Sequence, residues 1–387
     1  MKNFEEKACL CALNRIFGFE PKIALALIGH TGSARELFRM NPNELEELTG
    51  PFFKHKGKIC SRAVELAAEE LTGLEKDGIR FCGWTEEDYP SLLKECEDAP
   101  VGLYIRSSTP PGMLWNGKDC ISVVGTRDIS PYGREWCAKL VKELSYTPEK
   151  PVIVSGLALG TDIEAHTAAL DNGLPTIGVM ATGPETVYPW RHKQIAERIV
   201  STPGCALITD YPPGTAPLAI HFLRRNRIIA GLSRATVLVE SKIRGGGMMT
   251  CRLAFSYSRD VYSLPGRIDD IRSQGCNLLI RQKIAEPVTS EADLLDSLGL
   301  KNGEKRQARS SDMIGQIFRG KVSEDRIIRL TMILELIRRC RGITIEELSR
   351  ESGLEYRQCA ESVNLLELEG IICMDILQRC SINYKNV

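Results

Sequence analysis

Six short apolar segments rich in β-branched residues recur through the middle of this 387-residue chain. Most neighbouring pairs are separated by a segment of helical length, so strand and helix patterns alternate. Strands that are apolar throughout, rather than on alternate residues, are typical of a parallel sheet covered by helices on both faces. The alternation therefore predicts an α/β fold with a doubly wound, mostly parallel sheet. The predicted strands are Ile121–Val124, Val152–Val154, Thr176–Val179, Ala206–Thr209, Thr236–Val239 and Val261–Leu264.

The segments on either side of this alternation predict smaller units. The N-terminal segment has apolar positions at helical spacing, and the C-terminal segment predicts three helices followed by a β-ribbon. Residues 301–312 lie between the alternating strands and helices and the C-terminal unit. They are polar and lack apolar periodicity, which is typical of a flexible linker. Asn43 and Thr344 are predicted helix N-caps. The predicted domains are a helical domain at 1–72, an α/β domain at 73–300, a polar linker at 301–325 and a winged-helix domain at 326–387.

The charge balance limits where any polyanion can bind. Fifty basic and fifty acidic residues give a formal net charge of zero and an isoelectric point near 6.9. Nothing global attracts the chain to nucleic acid or to a membrane surface, so a nucleic-acid site must be local. The N-terminus carries acids and an arginine, unlike a signal peptide, and no segment has the run of about 18 apolar residues that a membrane span requires. We expect a cytoplasmic protein without membrane contact.

The cysteines and glycine-rich loops give little support for a metal or a nucleotide cofactor. The fourteen cysteines are scattered and form no CxxC pair, so buried reduced thiols are expected rather than a zinc site. Segment 155–166 matches neither the dinucleotide fingerprint nor a P-loop. Asp162 and His166 share a predicted helix face and are candidates for metal binding or proton relay, but the lack of accompanying ligands favours structural roles. We expect no cofactor and no metal.

Residues 221–234 hold a local concentration of positive charge, with four arginines and no acid. Arginine offers a planar fork of donors that suits phosphate oxygens, and its guanidinium stacks on bases. The segment is therefore a candidate polyanion site. The alternative is a helix whose arginines pair with acids elsewhere or are simply solvated, and composition alone favours this alternative.

The loops that follow the predicted strands add further cations. In a doubly wound sheet, ligands bind beyond the carboxyl ends of the strands, where helix N-termini present free N–H groups. Arg127, Arg191 and Arg244 each lie in such a loop. Trp190 offers a stacking surface beside Arg191, as single-stranded nucleic acid requires. Convergence of these separate loops with the arginines of 221–234 favours a polyanion site over scattered surface charge.

These segments, in this order, resemble the bacterial DNA-processing protein DprA family, also called Smf. The resemblance spans about residues 80–290, and its most specific motif is RRNRIIAGLS at 224–233, which mixes charged, polar and glycine positions. The other matching segments are VGTRDISPYG (124–133), SGLALGTDIEAHTAAL (155–170), YP (188–189), DYPPGTAP (210–217), VLVE (237–240) and LPG (264–266). The resemblance implies an extended Rossmann-like domain, with a SAM-like or helix-hairpin-helix-like domain before it and a winged helix after it.

The resemblance also implies a function. Family members, usually as homodimers, bind and protect single-stranded DNA and help to load the RecA recombinase during natural transformation. They are not known as enzymes, so no catalytic residue is expected. By position in the family's motifs, the implied DNA-binding residues are Arg127, Ser130, Gly156, Gly160, Arg191, Arg225, Asn226 and Arg227. Additional contacts are expected from Trp190, Arg224, Arg244 and Gly246.

The chain departs from the family's pattern at three places. Leu223 stands where proline is usual, Thr161 where isoleucine is common, and glycines at 245–247 where the family has Ser-Gly-Ser. The glycines remove two hydroxyl donors but keep the backbone N–H groups. In the C-terminal domain, residues 351–369 hold five glutamates and one arginine, so the predicted third helix there is expected to contact protein rather than a phosphate-lined groove.

Two alternatives belong to a different class of function. One is a Rossmann-like sensor that only binds a nucleotide ligand, and the other is a nucleotide-processing enzyme. Related enzymes place a glutamate after a glycine loop, whereas here GGGMMT is followed by CRLAFSYSRD, with no carboxylate for the next turn or two. The enzyme is therefore disfavoured, and the sequence argues less firmly against the sensor.

Overall fold

The structure is a computed structural model that describes residues 2–300, 314–315, 317–318, 320–340, 342–375 and 378–382. The chain divides into two compact units, Met1–Leu294 and Leu295–Val387. Most of the predicted linker at 301–325 lies outside the described residues. The predicted domain boundaries at 72, 300 and 325 stay predictions.

The N-terminal part of the first unit is helical. Apolar side chains such as Leu10, Leu13 and Leu37 form a buried cluster that also includes Tyr104 from the neighbouring sheet. The helices are α1 (Lys2–Phe17), α2 (Pro21–Thr31), α3 (Ala34–Arg39), α4 (Pro42–Thr49) and α5 (Ser61–Lys76). The prediction of Asn43 as an N-cap is wrong, because Asn41 caps α4 and accepts hydrogen bonds from the Asn43 and Glu44 N–H groups. Pro42 takes the first helical position, where a missing N–H costs nothing.

A nine-stranded sheet forms the centre of the first unit, in the order β1-β2-β6-β5-β4-β3-β7-β8-β9. The pairs β1–β2 and β2–β6 are antiparallel, and every other neighbouring pair is parallel. The strands are β1 (Ile79–Gly83), β2 (Gly102–Arg106), β3 (Cys120–Val124), β4 (Val152–Ser155), β5 (Thr176–Val179), β6 (Ala206–Thr209), β7 (Ala235–Leu238), β8 (Asp260–Ser263) and β9 (Glu286–Pro287). Strands β3 to β8 correspond to the six predicted strands, so the predicted α/β fold is confirmed.

Helices connect the strands and create one crevice at the sheet's edge. From β3 the chain winds through β4, β5 and β6 in one direction, and then returns to place β7 on the other side of β3. At this reversal the loops leaving β3 and β7 diverge, and doubly wound sheets bind their ligands there. The helices are α6 (Ser91–Lys94), α7 (Gly112–Trp115), α8 (Pro131–Ser145), α9 (Thr161–Asp171), α10 (Lys193–Ser201), α11 (Ala219–Leu232), α12 (Gly246–Ser256), α13 (Gln274–Arg281) and α14 (Glu291–Ser297).

The second unit contains three longer helices and a small antiparallel sheet in its described part. These are α15 (Glu324–Arg339), α16 (Ile345–Ser352), α17 (Tyr356–Leu368), β10 (Ile343–Thr344), β11 (Ile372–Met374) and β12 (Arg379–Ile382). Thr344 caps α16 by accepting a hydrogen bond from the Glu347 N–H, as predicted. The winged-helix assignment stays a prediction. Across the described ranges, no helix has both the length and the apolar character needed to cross a membrane.

Candidate nucleic-acid interface

A cleft of about 480 Å³ lies where the sheet reverses its winding. Its walls are the loop after β3, the loop after β4, the loop between β7 and α12, and the first half of α11. The predicted site residues that line it are Arg127, Arg225, Asn226, Arg244 and Gly246, and Phe222, Leu223 and Lys242 line it as well. The structure therefore brings together residues from three of the predicted segments.

Arg127 is the exposed cation on the β3 side of the cleft. Its guanidinium lies 5.4 Å from the centroid of the Phe222 ring, within cation–π range. The neighbouring carboxylate of Asp128 is bound instead by Arg272, at 2.9 Å. No ion pair of Arg127 is found in the part of the chain that the structure describes. Its five donors are thus available to a ligand in the cleft.

Arg225 is a buried cation in the wall of the cleft and does not extend into solvent. It is 3% exposed and donates hydrogen bonds to the carbonyl oxygens of Gly156 and Val179. Burial lowers the pKa of its guanidinium to about 10, a shift opposed by the nearby Asp162 carboxylate. Its Nε has no partner in the described structure. Arg225 therefore fixes the loop after β4 and still contributes positive potential to the cleft.

Arg227 is separated from the cleft by the structure, although it belongs to the same motif. It is 6% exposed, and its guanidinium forms an ion pair with Asp210 at 2.5 Å. It also donates a hydrogen bond to the Asp98 carbonyl oxygen. The α11 face that carries Arg227 points into the protein, and Asp98 and Asp210 hold Nη1 and Nη2 of its guanidinium.

Arg224 connects α11 to the helical region. Its Nη2 donates to the Gly18 carbonyl oxygen at 3.0 Å, and its guanidinium lies 4.3 Å from the centroid of the Phe19 ring. Asn226, by contrast, lines the cleft and is 8% exposed. The four consecutive residues of the RRNR motif therefore have distinct positions, and two of them reach the cleft.

The predicted glycines after β4 shape the loops rather than face open solvent. A Cβ on Gly156 would lie 2.5 Å from Nη2 of Arg225 and 2.6 Å from Oδ2 of Asp162. Gly160 has a φ of +76°, and a Cβ there would lie 2.3 Å from the Thr126 carbonyl oxygen. Close approach of the β3 and β4 loops thus requires glycine at 160, whereas glycine at 156 leaves room for the side chains of Arg225 and Asp162.

Substitution of Gly160 by alanine is expected to destabilise the fold by roughly 1–3 kcal/mol, because the added Cβ meets the backbone in a strained conformation. Thermal unfolding of the variant measures this loss. Gly173→Ala is the matched control, since Gly173 also has a positive φ of +67° but nothing lies within 4 Å of an added Cβ. The Gly160 variant should lose more stability than the control, because of the clash and because its ψ of −123° lies outside the left-handed helical region that other residues can adopt. Equal losses would show that Gly160 matters only for its φ.

Ser130 caps a helix and binds a buried carboxylate. Its Oγ accepts from the Gly133 N–H at 3.1 Å, which caps α8. Its N–H and its hydroxyl both donate to the carboxylate of Glu240, at 2.9 and 2.5 Å. Glu240 is 1% exposed and lies two residues after the end of β7, so it joins the two loops that border the cleft. The sequence reasoning missed this role, and the VLVE motif was the signal that could have found it.

The N-terminus of α12 opens into the cleft. Gly245 is the N-cap, Gly246 is the first helical residue, and a Cβ on Gly246 would meet nothing within 4 Å. Lys242 and Arg244 are exposed in the loop that leads to it. A helix N-terminus presents unpaired N–H groups and a partial positive charge, so together with these cations it suits a phosphate.

Aromatic side chains continue from the cleft along the loop after β5. We call Phe222, Tyr188 and Trp190 the aromatic ridge. The Phe222 and Tyr188 rings have centroids 5.5 Å apart. Trp190 is 71% exposed, and the Lys193 ammonium lies 4.6 Å from its ring centroid. Trp190 and the exposed Arg191 do not line the cleft itself but extend its aromatic and basic surface.

Asp162 and His166 have structural environments. The Asp162 carboxylate accepts from the Ala158 N–H at 3.2 Å, and burial raises its pKa. His166 is fully buried, with Nδ1 2.7 Å from Oγ1 of Thr176, and burial lowers its pKa to about 3. The imidazole is therefore neutral at physiological pH. No group of metal-binding side chains occurs among the residues described.

Comparison with known proteins shows to which family the chain belongs. The profile of the family described as DNA recombination-mediator protein A matches residues 80–299, which is more than half of the chain. The chain belongs to this family. A member from Streptococcus pneumoniae, DNA processing protein DprA, is 41% identical over 210 residues, covering 54% of this chain and 71% of the relative. Protein Smf from Synechocystis sp. is 32% identical over 295 residues, covering 76% of this chain and 73% of that protein.

Solved structures of family members have the same fold. That of DprA from Streptococcus pneumoniae matches with a TM-score of 0.54 and 34% identity, covering 67% of this chain and 92% of the solved one. A Helicobacter pylori structure, which reports the single-stranded DNA binding mode of DNA processing protein A, matches with a TM-score of 0.50 and 26% identity. It covers 56% of this chain and 95% of the other. The predicted family resemblance and its extended Rossmann-like fold are confirmed.

Proposed function

We propose that this protein binds single-stranded DNA in the cleft, with the strand continuing along the aromatic ridge. The observation that carries the proposal is the convergence of three exposed cations, Arg127, Lys242 and Arg244, with the open N-terminus of α12. The cations and the helix end bind phosphates, which carry no base identity. Phe222, Tyr188 and Trp190 offer faces on which unpaired bases stack, and each such contact is worth roughly 1–3 kcal/mol.

A single strand fits these features better than a duplex does. Bases in a duplex are already stacked on one another and are not free to stack on exposed aromatic side chains. The unstacked bases of a single strand are free to do so. The exposed Arg191 lies beside the ridge residue Trp190 in sequence. We assign direct contacts to the cleft cations Arg127, Lys242 and Arg244, to the Gly246 backbone, and to Trp190 and Arg191. We assign positioning roles to Arg225, Ser130 and the two glycines Gly156 and Gly160.

We further propose that the protein protects incoming single strands and helps to load RecA onto them during natural transformation, acting as a homodimer and without catalysis. Support comes from membership of a recombination-mediator family and from the single-stranded DNA binding reported for the Helicobacter pylori relative. For the C-terminal unit we propose a protein partner. Residues 351–369 of this unit hold five glutamates and one arginine, a local excess of negative charge that disfavours a phosphate-lined groove.

Gly246→Asp tests the phosphate site at α12. A carboxylate at the first helical position favours the helix, since it faces the positive end of the dipole, so the fold should be kept. In the open cleft the same carboxylate repels phosphate, and affinity for single-stranded DNA is expected to fall roughly tenfold. Fluorescence anisotropy with a labelled oligonucleotide measures this change. Gly246→Asn is the matched uncharged control and should bind nearly as the wild type does; equal loss in both variants would indicate a steric effect and not a phosphate site.

A further inference from the structure

The helical region carries an exposed aromatic and basic surface that neither the family motifs nor the cleft accounts for. Phe52 is 97% exposed, more than any other large apolar side chain described. From Pro51 to Val64 the chain holds four cations and no acid. Lys58 is exposed and has no ion pair in the described chain. We call Phe19, Phe52, Lys54 and Lys58 the N-terminal patch.

The N-terminal patch is continuous with the cleft through α11. Leu223 lines the cleft and is 43% exposed, and the next residue, Arg224, lies over the Phe19 ring at 4.3 Å. Phe19 itself is 51% exposed. The following residue, Glu20, binds Lys54 at 2.7 Å and so brings the segment that carries Phe52 next to Phe19. An unbroken surface therefore runs from the cleft wall to Phe52.

This connection is fixed by buried contacts. The Asn14 amide of α1 donates to the Asp210 carbonyl oxygen at 2.8 Å, and both residues are buried. Arg224 donates to the Gly18 carbonyl oxygen, and the rings of Phe19 and His221 have centroids 5.7 Å apart. The helical region and α11 belong to one compact unit. The N-terminal patch is thus held at a constant distance from the cleft, as a second contact point on one ligand requires.

The charges of the patch remain available to a polyanion. Lys54 and Lys56 are paired with Glu20 and Glu46, and Arg62 is paired with Glu65, but these pairs are partly or largely exposed. Exposed ion pairs are worth about 0–1 kcal/mol, so a phosphate competes with them at little cost. Lys58 forms no ion pair within the described residues. An exposed aromatic ring with cations on either side is the arrangement that binds single-stranded nucleic acid without sequence preference.

We propose that the N-terminal patch is a second binding site for single-stranded DNA, which takes the nucleotides that extend beyond the cleft on the α11 side. A base stacks on Phe52, and Lys58 and Lys54 contact the adjoining phosphates. The site rests on the proposed function of the cleft, because the two sites share one strand. It lengthens the bound segment and leaves the cleft's own contacts unchanged.

The test compares a short oligothymidylate of about 6 nucleotides with a long one of about 16 nucleotides, the upper end of single-strand site sizes. The variant is Phe52→Ala with Lys58→Ala in the full chain. It should bind the short oligonucleotide as the wild type does and the long one about tenfold more weakly, the loss of one stacking contact. For the long oligonucleotide, the slope of log affinity against log salt concentration should decrease in magnitude by about 0.7 for each lost phosphate contact. Leu66→Ala with Lys76→Ala, which removes an exposed leucine and an exposed lysine from α5, is the matched control.

The outcomes separate the two sites. Loss of affinity for the long oligonucleotide alone supports the N-terminal patch. Wild-type binding of the long oligonucleotide, or an equal loss for both lengths, overturns it. Arg127→Ala is measured in parallel and should weaken binding of both lengths. If Arg127→Ala binds both as the wild type does, the proposed function of the cleft fails, independently of the result for the patch.

Discussion

Arg127→Ala is expected to weaken binding of single-stranded DNA roughly tenfold to a hundredfold, because a charge-assisted hydrogen bond to phosphate is worth about 1.5–3 kcal/mol. The Arg127 side chain is exposed and stacks over Phe222 without an ion pair in the described chain. Its removal should therefore change the free energy of unfolding by no more than about 0.5 kcal/mol. Fluorescence anisotropy and thermal unfolding, measured on the same preparation, check both halves of this expectation.

Arg198→Ala is the matched control for Arg127→Ala. Arg198 is also an exposed arginine of the first unit, but it lies on α10, where it pairs with Asp171, and it does not line the cleft. Both variants lower the net charge by one. If they weaken binding equally, the effect comes from overall charge rather than from the cleft, and the assignment of Arg127 is wrong.

Arg227→Ala is expected to act in the opposite way, by destabilising the fold rather than by removing a DNA contact. The variant leaves the Asp210 carboxylate buried without its partner and the Asp98 carbonyl oxygen without a donor. Breaking a buried ion pair from one side costs about 3–5 kcal/mol. Chemical denaturation should show this loss, and the fraction that remains folded should bind single-stranded DNA with nearly wild-type affinity.

A double variant distinguishes a structural role of Arg227 from a role in binding. Arg227→Met with Asp210→Asn removes both charges, so no buried charge is left unpaired, and its loss of stability should be smaller than that of Arg227→Ala. Arg224→Ala is a second comparison for the loss of stability. Arg224 is only partly buried and donates to one carbonyl oxygen, so this variant should lose less stability than Arg227→Ala. A stable, folded Arg227→Ala protein that no longer binds DNA would overturn the structural assignment.

The sheet was predictable because its signal is local. Each of the six predicted strands is a short apolar run, and a buried parallel strand needs little else to be recognised. The cap at Thr344 was equally local, since Glu347 three residues later completes a capping box. At Asn43 the same reasoning failed by two residues, because Pro42 shifts the helix start and leaves Asn41 as the cap.

The roles of the arginines were not predictable, because they depend on residues distant in sequence. Arg227 is buried by Asp210 and by Asp98, which is 129 residues away along the chain. Arg225 is held by carbonyl groups that follow β4 and end β5. A motif shows that several arginines lie on one helix, whereas burial of each depends on which face of that helix meets the sheet. The motif therefore indicated the helix that lines the cleft, but it could not show which of the helix's arginines are exposed and which are buried.

The most direct test of single-stranded DNA binding in the cleft is a salt-dependent titration of the full chain with single-stranded DNA and with duplex DNA of the same sequence. We expect tighter binding of the single strand, and a slope of log affinity against log salt of about −2, which is about 0.7 for each of three cations. Arg127→Ala should reduce that slope by about 0.7, corresponding to one phosphate contact. Equal affinity for both forms of DNA, or a slope that Arg127→Ala leaves unchanged, would contradict the proposed site.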